Sequence, residues 1–237
     1  MSDRVAFETA VEVLSAAPER GTSFCEPFLM ALPIDRAAIS TLGSPFARES
    51  LFATDATAAR FAEIQLDLGE GPCWLAASTR GPVLVGDIRA LGTAVGAERW
   101  PTLSHAIRSL DVAGVYAFPL MVGTLTVGAV DLHTRVPGEL NDDQIVDAQN
   151  LANIAARHVL RRALGAHTHG SDIDDDPGFS RRGAHQATGM VLAQLNSSAA
   201  DASLMIQGHA FSSGRSVRDV PADIVARRLD FFTLDES

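Results

Sequence analysis

The sequence predicts an α+β chain in two parts, a mixed helix-and-strand domain over residues 1–164 and a small three-helix module over residues 181–237. Three observations carry this. Strand-like runs and helix-periodic segments interleave over the first 164 residues. The stretch GAHTHGSDIDDDPGFS at 165–180 is polar, acidic and punctuated by Gly and Pro, the composition of a flexible linker. Everything after it is helix-periodic, with no strand pattern.

Taken in order, DRVAFETAVEVLSA at 3–16 places Val5, Phe7, Ala10, Val11 and Leu14 at helical spacing, with Pro18 beyond its end. A second short helix is expected over 22–31. AAIST at 37–41 and RESLFAT at 48–54 read as strands. Residues 55–68 form a helix capped by Asp55 and stopped at Gly69. GEGPCW then makes a turn-rich loop into a helix over 72–79, and PVLVGD at 82–87 is a short buried strand. A helix over 97–110 contains Trp100, with Pro101 just inside it. AGVYAFPLM at 113–121 and GTLTVGAVDLH at 123–133 are strands joined by a tight connection, the second burying one face through Leu125, Val127 and Ala129. A long helix from Asn141 to Leu164 carries Ile145, Ala148, Ala152, Ala155 and Val159 as a narrow seam, which packs on the domain's own sheet, on a twin helix, or on both at opposite ends. The last three helices span 181–195, 198–212 and 216–231. Ser198, or Ser197 beside it, caps the second, and Ser216 caps the third.

Composition narrows the function. Hydrophobic residues make up 46% and charged residues 20%, a globular balance. No run approaches the roughly 18 apolar residues of a membrane span. The N-terminus lacks the basic start, apolar run and cleavage site of a signal peptide. Two cysteines, Cys25 and Cys73, are too few for a disulfide scaffold. A cytoplasmic protein is expected. The net charge of −10 excludes a protein that coats nucleic acid indiscriminately. The charge is uneven, however: residues 179–237 hold six Arg against six acids, three of those acids in the last eight residues, so the body of the tail is locally basic.

The chain contains no lysine, which removes Schiff-base chemistry and a Walker-type phosphate loop. Nothing matches G-x-S-x-G, H-E-x-x-H, G-x-G-x-x-G or C-x-x-C. No catalytic residue is assigned and no enzyme is expected. His167, His169, Asp172, Asp174, Asp175 and Asp176 have ligand-type side chains but lie in the linker without a second ligand pair. A structural metal needs about four ligands in fixed geometry, so no metal is expected there. Cys73 falls near a helix N-terminus, where the dipole lowers a thiol pKa, yet a lone Cys is also a common core filler.

The tail carries the more specific pattern. Arg181, Arg182, His185, Gln186, Thr188 and Gly189 interrupt an apolar line of Ala184, Ala187, Val191 and Leu195. Gly189 inside a helix costs about 1 kcal/mol against Ala, and close approach of another backbone, protein or nucleic acid, is the natural reason. Arg215, Arg218, Arg227 and Arg228 add donors suited to phosphates and base edges, though such Arg residues also occur merely solvated.

On Ala187-x-Gly189-Met190, Gln194-Leu195, Ala199-Ala200-Asp201-Ala202, His209-Ala210, Gly214-Arg215-Ser216 and Asp219-Val220 through Ile224-Val225, the tail resembles the ANTAR family of RNA-binding antitermination modules. It departs from that family at Thr188, at Ile206-Gln207 and at Pro221, where a proline deep in the third helix would kink it. The front domain resembles GAF domains through Gly69-Glu70-Gly71-Pro72-Cys73, Pro82-Val83-Leu84-Val85 with Asp87, Trp100-Pro101, Phe118-Pro119-Leu120, and Gly128 through Leu132. That resemblance implies a central antiparallel sheet of five or six strands flanked by helices, with a small-molecule pocket over one face. Cys73, Trp74, Trp100, Tyr116 and Phe118 are assigned to the pocket. GAF domains take very different ligands, so the fold supplies no ligand and no cofactor is assigned.

Together the resemblances imply a transcription regulator that binds hairpin loops in nascent RNA under control of a small-molecule effector. The RNA face is placed on Arg181, Arg182, His185, Gln186, Thr188, Gly189, Arg215 and Arg218. A homodimer would suit a two-hairpin target, with its seam on the 141–164 helix. The alternatives are a protein-interaction signalling module that has lost RNA binding, and a GAF-fold thiol enzyme that would need an exposed, low-pKa Cys73 or Cys25.

Overall fold

Short-range signals explain most of the elements in the computed structural model. It describes residues 2–17, 24–43, 46–90, 100–168, 181–195, 198–213, 215 and 219–231, without the side chains of 2, 3, 163, 165–168, 181–185, 199, 200, 203 and 211. Helices α1 (Ser2–Ala16) and α2 (Glu26–Ala31) precede strands β1 (Arg36–Leu42) and β2 (Arg48–Ala53). Helix α3 (Ala56–Leu68) starts where the Asp55 carboxylate accepts from the Ala58 N–H at 2.8 Å. It ends at Gly69, whose left-handed conformation suits glycine. Then come α4 (Pro72–Thr79), β3 (Val83–Val85), α5 (Pro101–Ala106), β4 (Gly114–Val122), β5 (Leu125–Thr134) and α6 (Asp142–Thr168). Asn141 and Gln144 cap α6 reciprocally, each side chain accepting from the other's backbone N–H.

The five strands form one antiparallel sheet in the order β2-β1-β5-β4-β3. On one face lie α1, α2 and α6, closing a core of Phe7, Leu14, Phe28, Ile39, Phe118, Leu132, Leu151 and Val159 among others. On the other, α3, α4 and α5 cover a smaller cluster that includes Phe61, Ile64, Trp100, Leu103, Ile107 and Val115. β5 runs through the middle and is buried on both faces from Val127 to Thr134, whereas its alternation predicts one buried face. Covering by helices on both sides is the reason.

Other elements differ from expectation at their ends. The third strand shrinks to three residues, and the 97–110 helix to Pro101–Ala106, with 91–99 outside the described residues. Helix α6 continues through Thr168, so the first residues of the expected linker are helical. Ala148, Ala152, Ala155 and Val159 are all 0% exposed inside the domain's own core, whereas Ile145 near the start of the helix is half-buried. Small side chains in the buried stretch let α6 lie close to the sheet.

The chain divides after Thr168 into two units. The second contains α7 (Arg181–Leu195), α8 (Ala199–Ser212) and α9 (Val220–Val225) around Ala187, Val191, Ala202, Ile206, Ala210, Val220, Ile224 and Phe231. Ser198 caps α8: its Oγ accepts from the Asp201 N–H at 3.1 Å and donates to that residue's carboxylate at 2.7 Å. Helix α9 begins at Val220, so Pro221 occupies its first turn, where a missing N–H leaves no bond unmade. The predicted kink is therefore corrected, and the expected Ser216 cap lies outside the described residues. Among the described residues no helix is long and apolar enough to cross a membrane.

Candidate functional site

Strand alternation sorts the side chains of the central sheet. Ile39, Tyr116, Phe118, Val130 and Leu132 point into the core beneath α1, α2 and α6. Their neighbours Ala38, Ser40, Ala117, Ala129, Asp131 and His133 face α3 and α4. Asp131 sits at the centre of this second face, between Ala38 on β1 and Ala117 on β4, and is 1% exposed. His133 lies two residues on, 0% exposed, its ring 4.6 Å from that of Phe61 on α3.

Gln65 of α3 organises the space beside Asp131. Its Nε2 donates to Asp131 Oδ2 at 2.8 Å, and its Oε1 accepts the Cys73 N–H at 3.1 Å. Its backbone carbonyl accepts from Trp74 Nε1 at 2.7 Å. One side chain therefore ties α3 to the first turn of α4 and to the middle of the sheet. The GEGPC loop has the residues this requires. Gly71 adopts φ 133°, and a Cβ there would overlap the Gln65 amide. Pro72 opens α4, and Glu70 Oε1 accepts from the Leu103 N–H at 2.7 Å in the first turn of α5.

The polar groups of this face are incompletely matched. Among the described residues Asp131 Oδ1, Ser40 Oγ and both ring nitrogens of His133 have no hydrogen-bond partner although all are buried. Burial pushes the Asp131 carboxyl up to about 7, against the opposing Gln65 hydrogen bond. Burial, aided by the Arg36 charge, pushes His133 down to about 3, so its imidazole is neutral. Arg36 is not free to neutralise Asp131: it donates to Asp55 Oδ2 and to the Asp111 carbonyl, each at 2.6 Å. Burial alone would raise Asp55, but the Ala58 N–H and the Arg36 guanidinium together hold it below the ordinary carboxylate range.

The expected pocket residues divide between the two faces. Cys73 and Trp74 lie beside Gln65, and Trp100 packs with Leu103 and Ile107 in the cluster on the same side. Tyr116 and Phe118 point to the opposite face; Phe118 is plain core, and Tyr116 donates to the Gly138 carbonyl at 2.9 Å. They cannot line the same site as Cys73. Cys73 is itself no activated thiol, because burial and the nearby Asp131 push its pKa well above normal, outweighing the helix N-terminus. Cys25 is buried too. Ser40, Gln65, Asp131 and His133 were missed by motif reading. The available signal was two ionisable residues, Asp131 and His133, two apart in a strand with no other ionisable side chain.

In the second unit, the Arg181, Arg182 and His185 side chains and all of Arg218 lie outside the described residues. Gln186 is exposed and Thr188 half-buried on α7. Gly189 is exposed, and among the described residues nothing lies within 4 Å of a Cβ added there, so no packing among them explains this glycine. Arg215 is engaged: it donates to Asp223 Oδ2 at 2.5 Å, while Arg228 takes Asp223 Oδ1 at 2.6 Å. These two hydrogen bonds hold the Asp223 carboxyl below its usual range. Among the described residues no group of three or more His, Cys, Asp or Glu is placed to hold a metal ion.

No protein-family model matches the chain, and no curated protein sequence does. Solved structures match its fold. The GAF domain of a phosphoenolpyruvate-protein phosphotransferase from Acinetobacter is 12% identical with a TM-score of 0.52, the match covering 72% of this chain and 97% of that one. The corresponding GAF domain from Coxiella burnetii is 15% identical with a TM-score of 0.51, over the same shares of each chain. At such identity the likeness is one of fold: a GAF domain fold, a five-stranded antiparallel sheet with helices, over about 70% of the chain.

Proposed function

We propose that the chain is a ligand-responsive regulator, its GAF-fold unit binding a small effector and its three-helix unit binding RNA hairpins to oppose transcription termination. The observation that supports the sensor half is the face around Asp131, where three buried side chains keep unmatched hydrogen-bonding atoms that folding alone would not favour. The RNA half rests on the ANTAR resemblance of the tail and on exposed Gly189, which leaves room for an approaching backbone. In this reading the protein acts in the cytoplasm without an enzymatic step, and a homodimer would use a surface other than the buried part of the α6 seam.

Binding of the full chain to a labelled two-hairpin RNA tests it. Affinity should fall when Arg181 and Arg182 become Ala, and should weaken with salt as phosphate contacts do. Gly189→Ala should stabilise the unit by up to about 1 kcal/mol while weakening RNA binding. No binding at low salt would reject the RNA half. The second reading is a protein-docking module. It is favoured by Leu204 and Met205, which are 64% and 45% exposed together on α8, and by the engagement of Arg215 with Asp223. Stable RNA-free function with loss on Leu204→Ser would support that reading instead.

A further inference from the structure

We propose that the face around Asp131 takes a small organic cation, an amine, amidine or guanidine whose N–H groups donate to Asp131 Oδ1 while its other polar atoms meet Ser40 Oγ and His133. The proposal rests on the reading of the front unit as a sensor and names the ligand class of that sensor.

Four observations carry it. Asp131 Oδ2 already accepts from Gln65, whereas Oδ1 has no partner among the described residues. Ser40 is diagonal to Asp131 across the β1–β5 ladder and His133 is two residues along β5, so their unmatched atoms belong to one face. Of the flanking positions, Ala38 packs against Ala58 and Ala62 of α3, while Ala117 and Ala129 are small, so no side chain of the sheet itself crowds the carboxylate. The fourth observation is the charge balance. Around Asp131 and His133 are Gln65 and Phe61 from α3, the neutral Cys73 thiol from α4, and Arg36, whose guanidinium is taken by Asp55 and Asp111. The chain has no lysine to add. Once Asp131 is ionised, above about pH 7, a phosphate or carboxylate brought here would meet a like charge, and the guanidinium of Arg48, stacked on the Trp74 ring, stands at the edge of the sheet two strands away. A cation would supply the counter-charge that a buried carboxylate otherwise lacks. Because burial holds the proton on Asp131 up to about pH 7, cation binding must displace that proton.

The experiment uses the full chain and shape-matched probes: methylguanidinium against methylurea, benzamidinium against benzamide, and methyl phosphate as the anion. Thermal shift and calorimetric titration are run from pH 5 to 8. At least one cation should raise Tm where its neutral isostere and the phosphate do not. Its affinity should fall about tenfold per pH unit below 7. Asp131→Asn, which keeps an oxygen for Gln65, should weaken the cation at least about tenfold and abolish the pH dependence. Tryptophan fluorescence checks that this variant folds, and Ser40→Ala, expected to lose several-fold, gives a second reading if it does not. Preferential binding of methyl phosphate, equal binding by Asp131→Asn, or no cation effect at millimolar concentration would each overturn the assignment. Effector-independent RNA binding by the same preparation would then show that the ligand class failed and the RNA reading stood, whereas loss of RNA binding alone would leave the cation site intact.

Discussion

Replacing Asp131 and His133 one at a time should unmask two opposed pH dependences. Folding raises Asp131 from 3.8 to about 7 and lowers His133 from 6.5 to about 3. Between pH 4 and 7 the folded protein keeps a proton on Asp131 that the unfolded chain has released. Stability therefore falls as pH rises, by about 1.4 kcal/mol per pH unit and about 4 kcal/mol over the range. Between pH 3 and 6.5 the unfolded chain carries a proton on residue 133 that the folded protein refuses. Stability there rises with pH at a similar slope, by about 5 kcal/mol in all. Where the ranges overlap, the two nearly cancel in the native protein. Asp131→Asn leaves the histidine's rise, and His133→Leu leaves the aspartate's fall, so the two profiles should diverge by about 2.7 kcal/mol per pH unit near pH 5.5. Urea unfolding followed by tryptophan emission isolates the front unit, because Trp74 and Trp100 are the only tryptophans and both lie in it. At pH 7.5, where residue 133 is uncharged folded or unfolded, His133→Leu should gain about 1 kcal/mol by removing two unmatched ring nitrogens. Parallel pH profiles for the two variants would refute the account of this face.

Two further perturbations act one in each unit. Gly71→Ala combines a backbone at φ 133° with overlap on the Gln65 amide, and should destabilise the front unit by about 2–4 kcal/mol and speed alkylation of Cys73; an unchanged melting point would mean Gln65 does not hold the loop. Asp223→Asn removes the anion shared by Arg215 and Arg228, and, if those guanidiniums serve RNA, the salt dependence of binding should steepen by about one per guanidinium recruited; an unaltered slope would assign them to structure alone.

The sequence made the helices and the turns legible where the signal is local. Asp55, Gly69, Pro72 and Ser198 act within one turn of their own position, and the boundaries they mark are close to those observed. The third-helix boundary was misread because a run of helix formers does not reveal that Pro221 stands in the first turn rather than the interior. The candidate site was only half legible. Aromatic residues were natural choices, yet Tyr116 and Phe118 belong to the far face, and only the strand pairing tells which side an alternating residue takes. Gln65, 66 positions before its partner Asp131, carries no motif at all. A glutamine in the last turn of an amphipathic helix reads as solvated, and its 0% exposure follows from the loop that Gly71 permits.

That loop explains why the polar face sits where it does. An apolar strand covered on both sides needs no Asp or His, and Asp131 and His133 each lower stability over part of the pH range. Leucine at either place would suit folding better, as would a small apolar residue at Ser40. Gln65 accommodates half of Asp131, and Arg36 is diverted to Asp55 and Asp111 rather than to the carboxylate that lacks a counter-ion. Local choices that oppose stability, gathered on one face of an otherwise consistent fold, are the expected mark of a site selected for something other than folding. Gln65 also joins that face to the first turn of α4 through Cys73, so any group that competes for Asp131 acts on a hydrogen-bond chain ending at a helix terminus rather than on a passive wall.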